Sequence, residues 1–172
     1  MELKIINFLN EVEELKEKQQ AQKIDLFILK NKNNLGKIEE FILPECEKID
    51  VQRVTILTKI FPFCTKLKKI DVSSDLALTQ DQCTSLGIAL SKLENLQIFI
   101  IRAKYSDKDT HYEDLISILR NIPQTIIELH LNKYAMGWFK RYEIENVFTI
   151  LKNLPNLNVR LFSGRVSCIE KY

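Results

Sequence analysis

Glycine and proline are scarce, with four of each among 172 residues, about 5 % where average usage is about 12 %. So few turn-formers argue against a turn-dense β-sandwich or barrel and favour long regular elements with short joins. No apolar run approaches the roughly 18 residues needed to cross a bilayer; Ile98–Ile101 is strand-sized. Neither sign of charge dominates: 25 basic and 23 acidic side chains leave a net +2. No strong field is available to steer the chain onto nucleic acid or an anionic membrane. Acid arrives early, at Glu2, Glu11, Glu13 and Glu14, which argues against a secretory signal or an acid-poor transit peptide. Four cysteines (46, 64, 83 and 168) are present without a C-x-x-C pair. Free thiols in a reducing compartment, cytoplasmic or cytoskeletal, are therefore expected.

What is abundant is aliphatic. Leucine and isoleucine make up about a quarter of the chain, within 45 % hydrophobic and 28 % charged residues overall, which is the composition of one folded domain with a large core. These residues keep a beat. Leu57, Leu86, Leu115 and Val147 are separated by 29, 29 and 32 residues. Phe61, Leu90, Leu119 and Leu151 repeat those steps, as do Cys64, Leu93, Ile122 and Leu154. Ile38, Leu67, Leu96, Ile126 and Leu157 follow at 29, 29, 30 and 31. Self-similarity at such a period is the signature of a repeat architecture.

Within each period the spacing changes character. Leu86, Leu90 and Leu93, like Leu115, Leu119 and Ile122, stand at i, i+4, i+7, the helical spacing. Thr79 with Gln82 and Thr110 with Glu113 fit the capping-box pattern that opens a helix, and Asp50 suits an N-cap. The other half is extended: Ile38-x-x-Phe41-x-Leu43, Leu67-x-x-Ile70-x-Val72, Leu96-x-x-Phe99-x-Ile101 and Ile126-x-x-Leu129-x-Leu131 end on the strand period of two. A strand followed by a helix cannot bury its own apolar face, but stacked copies can. These L-x-x-L-x-L cores, with Cys46 and Asp75 three residues past the first two, resemble the leucine-rich repeat family in its helix-bearing, ribonuclease-inhibitor-like class. Lys104 and Tyr134 occupy the Cys46 position in the next two copies, and Leu157-Asn-Val159-Arg-Leu161 runs one residue out of register. The resemblance spans about residues 35–162. It implies an α/β solenoid, a short horseshoe with parallel strands on the concave face and helices on the convex face.

The ends are less regular, as capping units are. Residues 1–34 are expected to form an N-terminal helical cap, with an amphipathic helix over 2–19 carrying Leu3, Ile6, Phe8 or Leu9, Val12 and Leu15. Residues 24–29 fit an extra strand as I-x-x-F-x-L. Counting back one period instead aligns Ile28 with Leu57 and Leu35 with Cys64, in helix. The strand is slightly favoured. Residues 35–156 hold the repeats, and 157–172 form a last strand and a hairpin through Ser163-Gly164 that blunts the open sheet edge.

Chemistry is sparse. The two histidines, His111 and His130, lie at no ligand spacing from a cysteine. His111 with Asp114 reads as a solvated helix start. The isolated glycines at 36, 87, 137 and 164 form no phosphate-binding loop, and no G-x-S-x-G elbow occurs. Cys64 and Cys83 sit in apolar columns and read as core. The acid pairs Glu13-Glu14 and Glu39-Glu40 lie in open, charged surroundings. The basic clusters Lys66, Lys68 and Lys69, and Lys140-Arg141 beside Trp138 and Phe139, are short in a neutral chain and read as solvation. No cofactor, metal or small-molecule substrate is expected, and no catalysis.

Surface remains. If the strand residues above face the helices, their alternates face solvent: Glu40 and Ile42; Lys69, Asp71 and Ser73; Ile98, Ile100 and Arg102; Glu128, His130 and Asn132. Exposed aliphatics rimmed by charge are what an interface core looks like. The loop Lys133–Tyr142 lengthens the period and holds the only tryptophan. Trp138 or Phe139 is either an interface anchor or a plug under the last helix. The family resemblance implies binding of protein partners on the concave face, as a structural or adaptor subunit of a larger assembly. It also leaves open a regulator of an enzyme, an inhibitor or GTPase-activating protein acting through Arg102, Glu128 or Asn132.

Overall fold

A computed structural model describes residues 20–43, 51–72, 78–101, 111–132, 139–163 and 166–170. The elements alternate along the chain: α1 (Gln20–Leu35), β1 (Glu40–Leu43), α2 (Val51–Ile60) with a 3-10 turn (Phe61–Phe63), β2 (Lys69–Val72), α3 (Gln80–Leu90) and β3 (Ile98–Ile101). There follow α4 (His111–Leu119), β4 (Glu128–Asn132), α5 (Arg141–Leu151), β5 (Asn158–Ser163) and β6 (Val166–Glu170). The six strands lie in one sheet in sequence order. The first five are parallel and β6 turns back antiparallel on β5, as expected of a last strand that blunts the sheet edge.

The register explains the beat. Phe41, Ile70, Phe99, Leu129 and Val159 stand side by side, at steps of 29, 29, 30 and 30 residues. Phe41, Ile70, Phe99, Leu129 and Val159 are all buried, as are Leu43, Val72, Ile101 and Leu131 two residues further on. Against them pack Leu57, Leu86, Leu90, Leu115, Leu119, Val147 and Leu151 from the helices. Phe41 meets Phe61 edge to face, centroids 6.2 Å apart, the arrangement the ring quadrupoles favour. One continuous core therefore runs between the sheet and its helices, and each burial of a large aliphatic contributes roughly 1.5–3 kcal/mol.

Between helix and strand the backbone is locked to the preceding copy. The amides of Lys68 and Lys69 both donate to Glu39 O, those of Gln97 and Ile98 to Lys68 O, and those of Ile127 and Glu128 to Gln97 O. Asn95 Nδ2 donates to Thr65 O and Thr125 Oγ1 to Leu96 O, both at 2.7 Å. Helix starts carry their own signal. The Thr79 amide donates to Gln82 Oε1 at 2.9 Å, half of the reciprocal pair expected there. The Lys140 amide donates to Glu143 Oε2 at 2.6 Å, a bond the sequence reading did not single out because lysine is no N-cap residue. Gly87 lets α3 approach α4: a Cβ there would meet Ser117 O at 2.9 Å and Ile118 O at 3.1 Å.

Two expectations are corrected. Residues 24–29 are helix, within α1. The strand reading requires Phe27 and Leu29 to share a buried side. Instead Ile28 and Leu35, one helical seven apart, enter the core, while Leu29 is 67 % exposed. A six-residue window could not separate the two periods; the sixteen-residue helix does. The alignment of Leu157 with Ile126 also fails. The Asn158 amide donates to Ile127 O and Val159 stands opposite Leu129, so backbone pairing sets the step at 30 and leaves Leu157 only partly buried. Residues 2–19, Cys46, Asp50, Asp75, Lys104, Thr110 and Tyr134 lie outside the described residues, and with them the N-terminal helix, the Asp50 cap, the turn-side positions and the Thr110 box.

Candidate functional site

The sheet face opposite the core carries two described columns. Glu40, Lys69, Ile98, Glu128 and Asn158 stand level at the strand starts, and Ile42, Asp71, Ile100, His130 and Arg160 stand level two residues on. Strand alternation alone assembles them, because every member is an even step from its neighbours on one strand. Asn132 sits in β4 opposite Phe162. Ser73, Arg102 and Trp138 lie outside the described residues.

Exposure sorts the columns. Glu40 is open, Lys69, Ile98 and Glu128 are half-buried, and Ile42 is 46 % exposed. Asp71, Ile100 and His130, expected to face solvent, are 7 %, 5 % and 7 % exposed. They belong to interior strands, so each has a row neighbour about 4.8 Å away on both sides, whereas Ile42 sits on the first strand and has one. Alternation fixes which face a side chain takes. Flanking strands narrow the access of Asp71, Ile100 and His130, while Lys69, Ile98 and Glu128, flanked the same way, stay half-buried.

Charge on this face is largely paired. Lys69 Nζ lies 3.8 Å from Glu40 Oε2 across β1 and β2. Just before the strands, Lys68 Nζ lies 3.0 Å from Glu39 Oε2. His130 Nε2 contacts Glu128 Oε1 on the same strand. Two of the three lysines in the 66–69 cluster are thus answered by glutamates. In the other basic cluster Arg141 pairs with Glu145 at 3.0 Å and Lys140 lies 5.8 Å from the Tyr142 ring centroid. Neither cluster forms the unneutralised stripe a polyanion needs.

Of the two readings open for Phe139, interface anchor or plug under the last helix, the structure favours the plug. It is buried and meets Tyr112 of α4 edge to face at 5.6 Å, which closes the core beneath the start of α5. Among the described residues of this region, exposed aromatic surface comes from Tyr142 on α5, which the sequence reading grouped with the loop but did not select. Sequence reasoning also missed a cavity of about 720 Å³ at the last-strand end, lined by Phe148, Leu151, Leu154, Pro155, Leu157 and Val159 with Glu145 and Lys152 at its polar margin. No spacing rule could have signalled it.

Reactive groups are held quiet. Burial pushes the Cys64 and Cys83 thiols up to about 12, Asp114 adding to the effect at Cys83, so both remain protonated rather than nucleophilic. Burial, with Glu113 beside it, raises the Asp114 carboxyl above its ordinary value. Among the described residues no group of three histidine, cysteine, aspartate or glutamate side chains gathers as a metal site, and no helix is long and apolar enough to cross a membrane. Comparison of the chain with protein-family models, curated proteins and solved structures finds no match.

Proposed function

We propose that this chain is a short leucine-rich-repeat-like solenoid that works by binding protein, as a non-catalytic structural or adaptor subunit of a larger assembly. Sequential parallel strands, steps of 29, 29, 30 and 30 and a helix beside each strand support the architecture. The observation that carries the function is Ile42, 46 % exposed on the sheet face opposite the core. Half-buried Ile98 lies two strands away, and Glu40, Lys69 and Glu128 stand around them. A small apolar centre with a charged rim is the anatomy of an interface. The rim pair Lys69–Glu40 supplies direction rather than affinity. Free, buried Cys64 and Cys83 suit a reducing cytoplasmic or cytoskeletal setting.

The test uses the full chain, tagged in its native cells, against the variant Ile42→Asp/Ile98→Asp. Ile100, being buried, is left alone so that folding is not the variable. The expected result is selective loss of co-purifying proteins with the thermal melt unchanged. Recovery of the same proteins at wild-type yield would remove the sheet face from the proposal.

A further inference from the structure

We propose that the row of helix-to-strand loops docks an acidic, extended peptide segment of a protein partner. These loops join α1 to β1 (36–39), α2 to β2 (64–68), α3 to β3 (91–97), α4 to β4 (120–127) and α5 to β5 (152–157). The first five strands are parallel and consecutive, so all five loops lie at the strand starts, along one edge of the sheet. Backbone amides tie each loop to the one before it, from Lys68 on Glu39 O to Asn158 on Ile127 O. Each loop carries a basic side chain: Lys37, Lys66 with Lys68, Lys92, Arg120 and Lys152. All six are exposed.

The charge of this edge is local. Its six cations face only Glu39 and Glu94, a net +4, whereas the whole chain is +2. Lys68 is answered by Glu39 at 3.0 Å. Among the described residues the other five cations form no ion pair. Basic residues also offset helix C-termini, and five such ends at about −0.5 each make about −2.5. The loops exceed that, so the edge stays positive. It is a stripe that runs across the copies, one or two residues from each, and neither basic cluster along the sequence shows it.

Spacing and chemistry select the occupant. Neighbouring loops lie about 4.8 Å apart beside the strands and about 8–10 Å apart beside the helices. An extended chain places alternate side chains on one face about 6–7 Å apart, so an acid at every second residue meets successive loops. Single-stranded nucleic acid would need exposed rings for its bases to stack on. The aromatic side chains that precede the α2–β2 loop do not offer them: Phe61 is buried, and Phe63 is half-buried with Lys32 Nζ 5.5 Å from its centroid.

This inference deepens the protein-binding reading on a second surface, so a failed titration here would leave the co-purification test of Ile42 and Ile98 standing. The full chain is titrated by fluorescence anisotropy, in low salt, against a labelled peptide of about twelve residues alternating glutamate and serine, long enough to span the row. Saturable binding is expected, and its loss when glutamine replaces glutamate in the peptide. Lys92→Glu/Arg120→Glu is expected to weaken binding about tenfold with the thermal melt unchanged, since two exposed attractions become repulsions. Lys140→Glu/Arg141→Glu makes the same change of net charge at the start of α5, away from the loops, and is expected to stay within about twofold. Absence of saturation, equal weakening by the two double variants, or tighter binding of an oligouridylate of the same length overturns the proposal.

Discussion

Burial sets the behaviour of Cys64 and Cys83 more than their chemistry does. With both thiols pushed up to about 12, neither should react with iodoacetamide at neutral pH until the chain unfolds, which peptide mapping of the alkylated protein would show. Linkage gives the sign of the pH effect. In the unfolded chain the thiols return to the ordinary value of 9.0, so their contribution to stability is complete below pH 9. It drains away as pH rises from there toward 12. Urea midpoints should therefore fall less steeply between pH 9 and 10.5 in Cys64→Ala/Cys83→Ala than in the wild-type chain. The face of the sheet a residue takes separates others in the same way. Phe99, buried on an interior strand, should cost about 3–5 kcal/mol when cut to alanine. Ile42, nearly half exposed on the first strand, should cost within about 0.5 kcal/mol. Denaturant titration of the two variants checks the contrast.

Elements show where one local signal overrides another. Alanine is the better helix former by about 1 kcal/mol, yet Gly87→Ala should destabilise by about 1–3 kcal/mol. Its Cβ would press on the Ser117 and Ile118 carbonyls, which are backbone and cannot turn away. A raised melting temperature for that variant would mean α3 and α4 can separate at little cost. At the start of α5, Glu143→Ala removes the acceptor for the Lys140 amide and should cost about 0.5–2 kcal/mol, read from the same titration. The helix spacings of Leu86 with Leu90 and Leu115 with Leu119 were legible because both residues of each pair point into one core. Residues 24–29 were not, since Ile28 fits either period until its partner Leu35 is known to be in the same helix.

At the scale of the molecule, each strand is stabilised by its neighbours, so the ends of the row should open first. Hydrogen exchange should find the β3 amides, paired with β2 and β4, better protected than those of β1, which pairs with β2 alone. Faster exchange in β3 would mean that the interior of the sheet is not its most stable part.

The chain's own pattern was enough to determine strand-and-helix alternation at a step near 29, and to identify the residues that fill the core, because burial at a fixed period leaves a periodic trace. Tertiary structure alone decided the step of 30 at β5, where the Ile127 carbonyl and not Leu157 sets the register. It alone decided that Asp71, Ile100 and His130 share a face with Ile42 yet are closed to water, and that Phe139 goes inward to Tyr112. Each of these depends on what stands beside a residue on another strand or helix, and such neighbours lie about 30 residues away, beyond the reach of any local spacing rule.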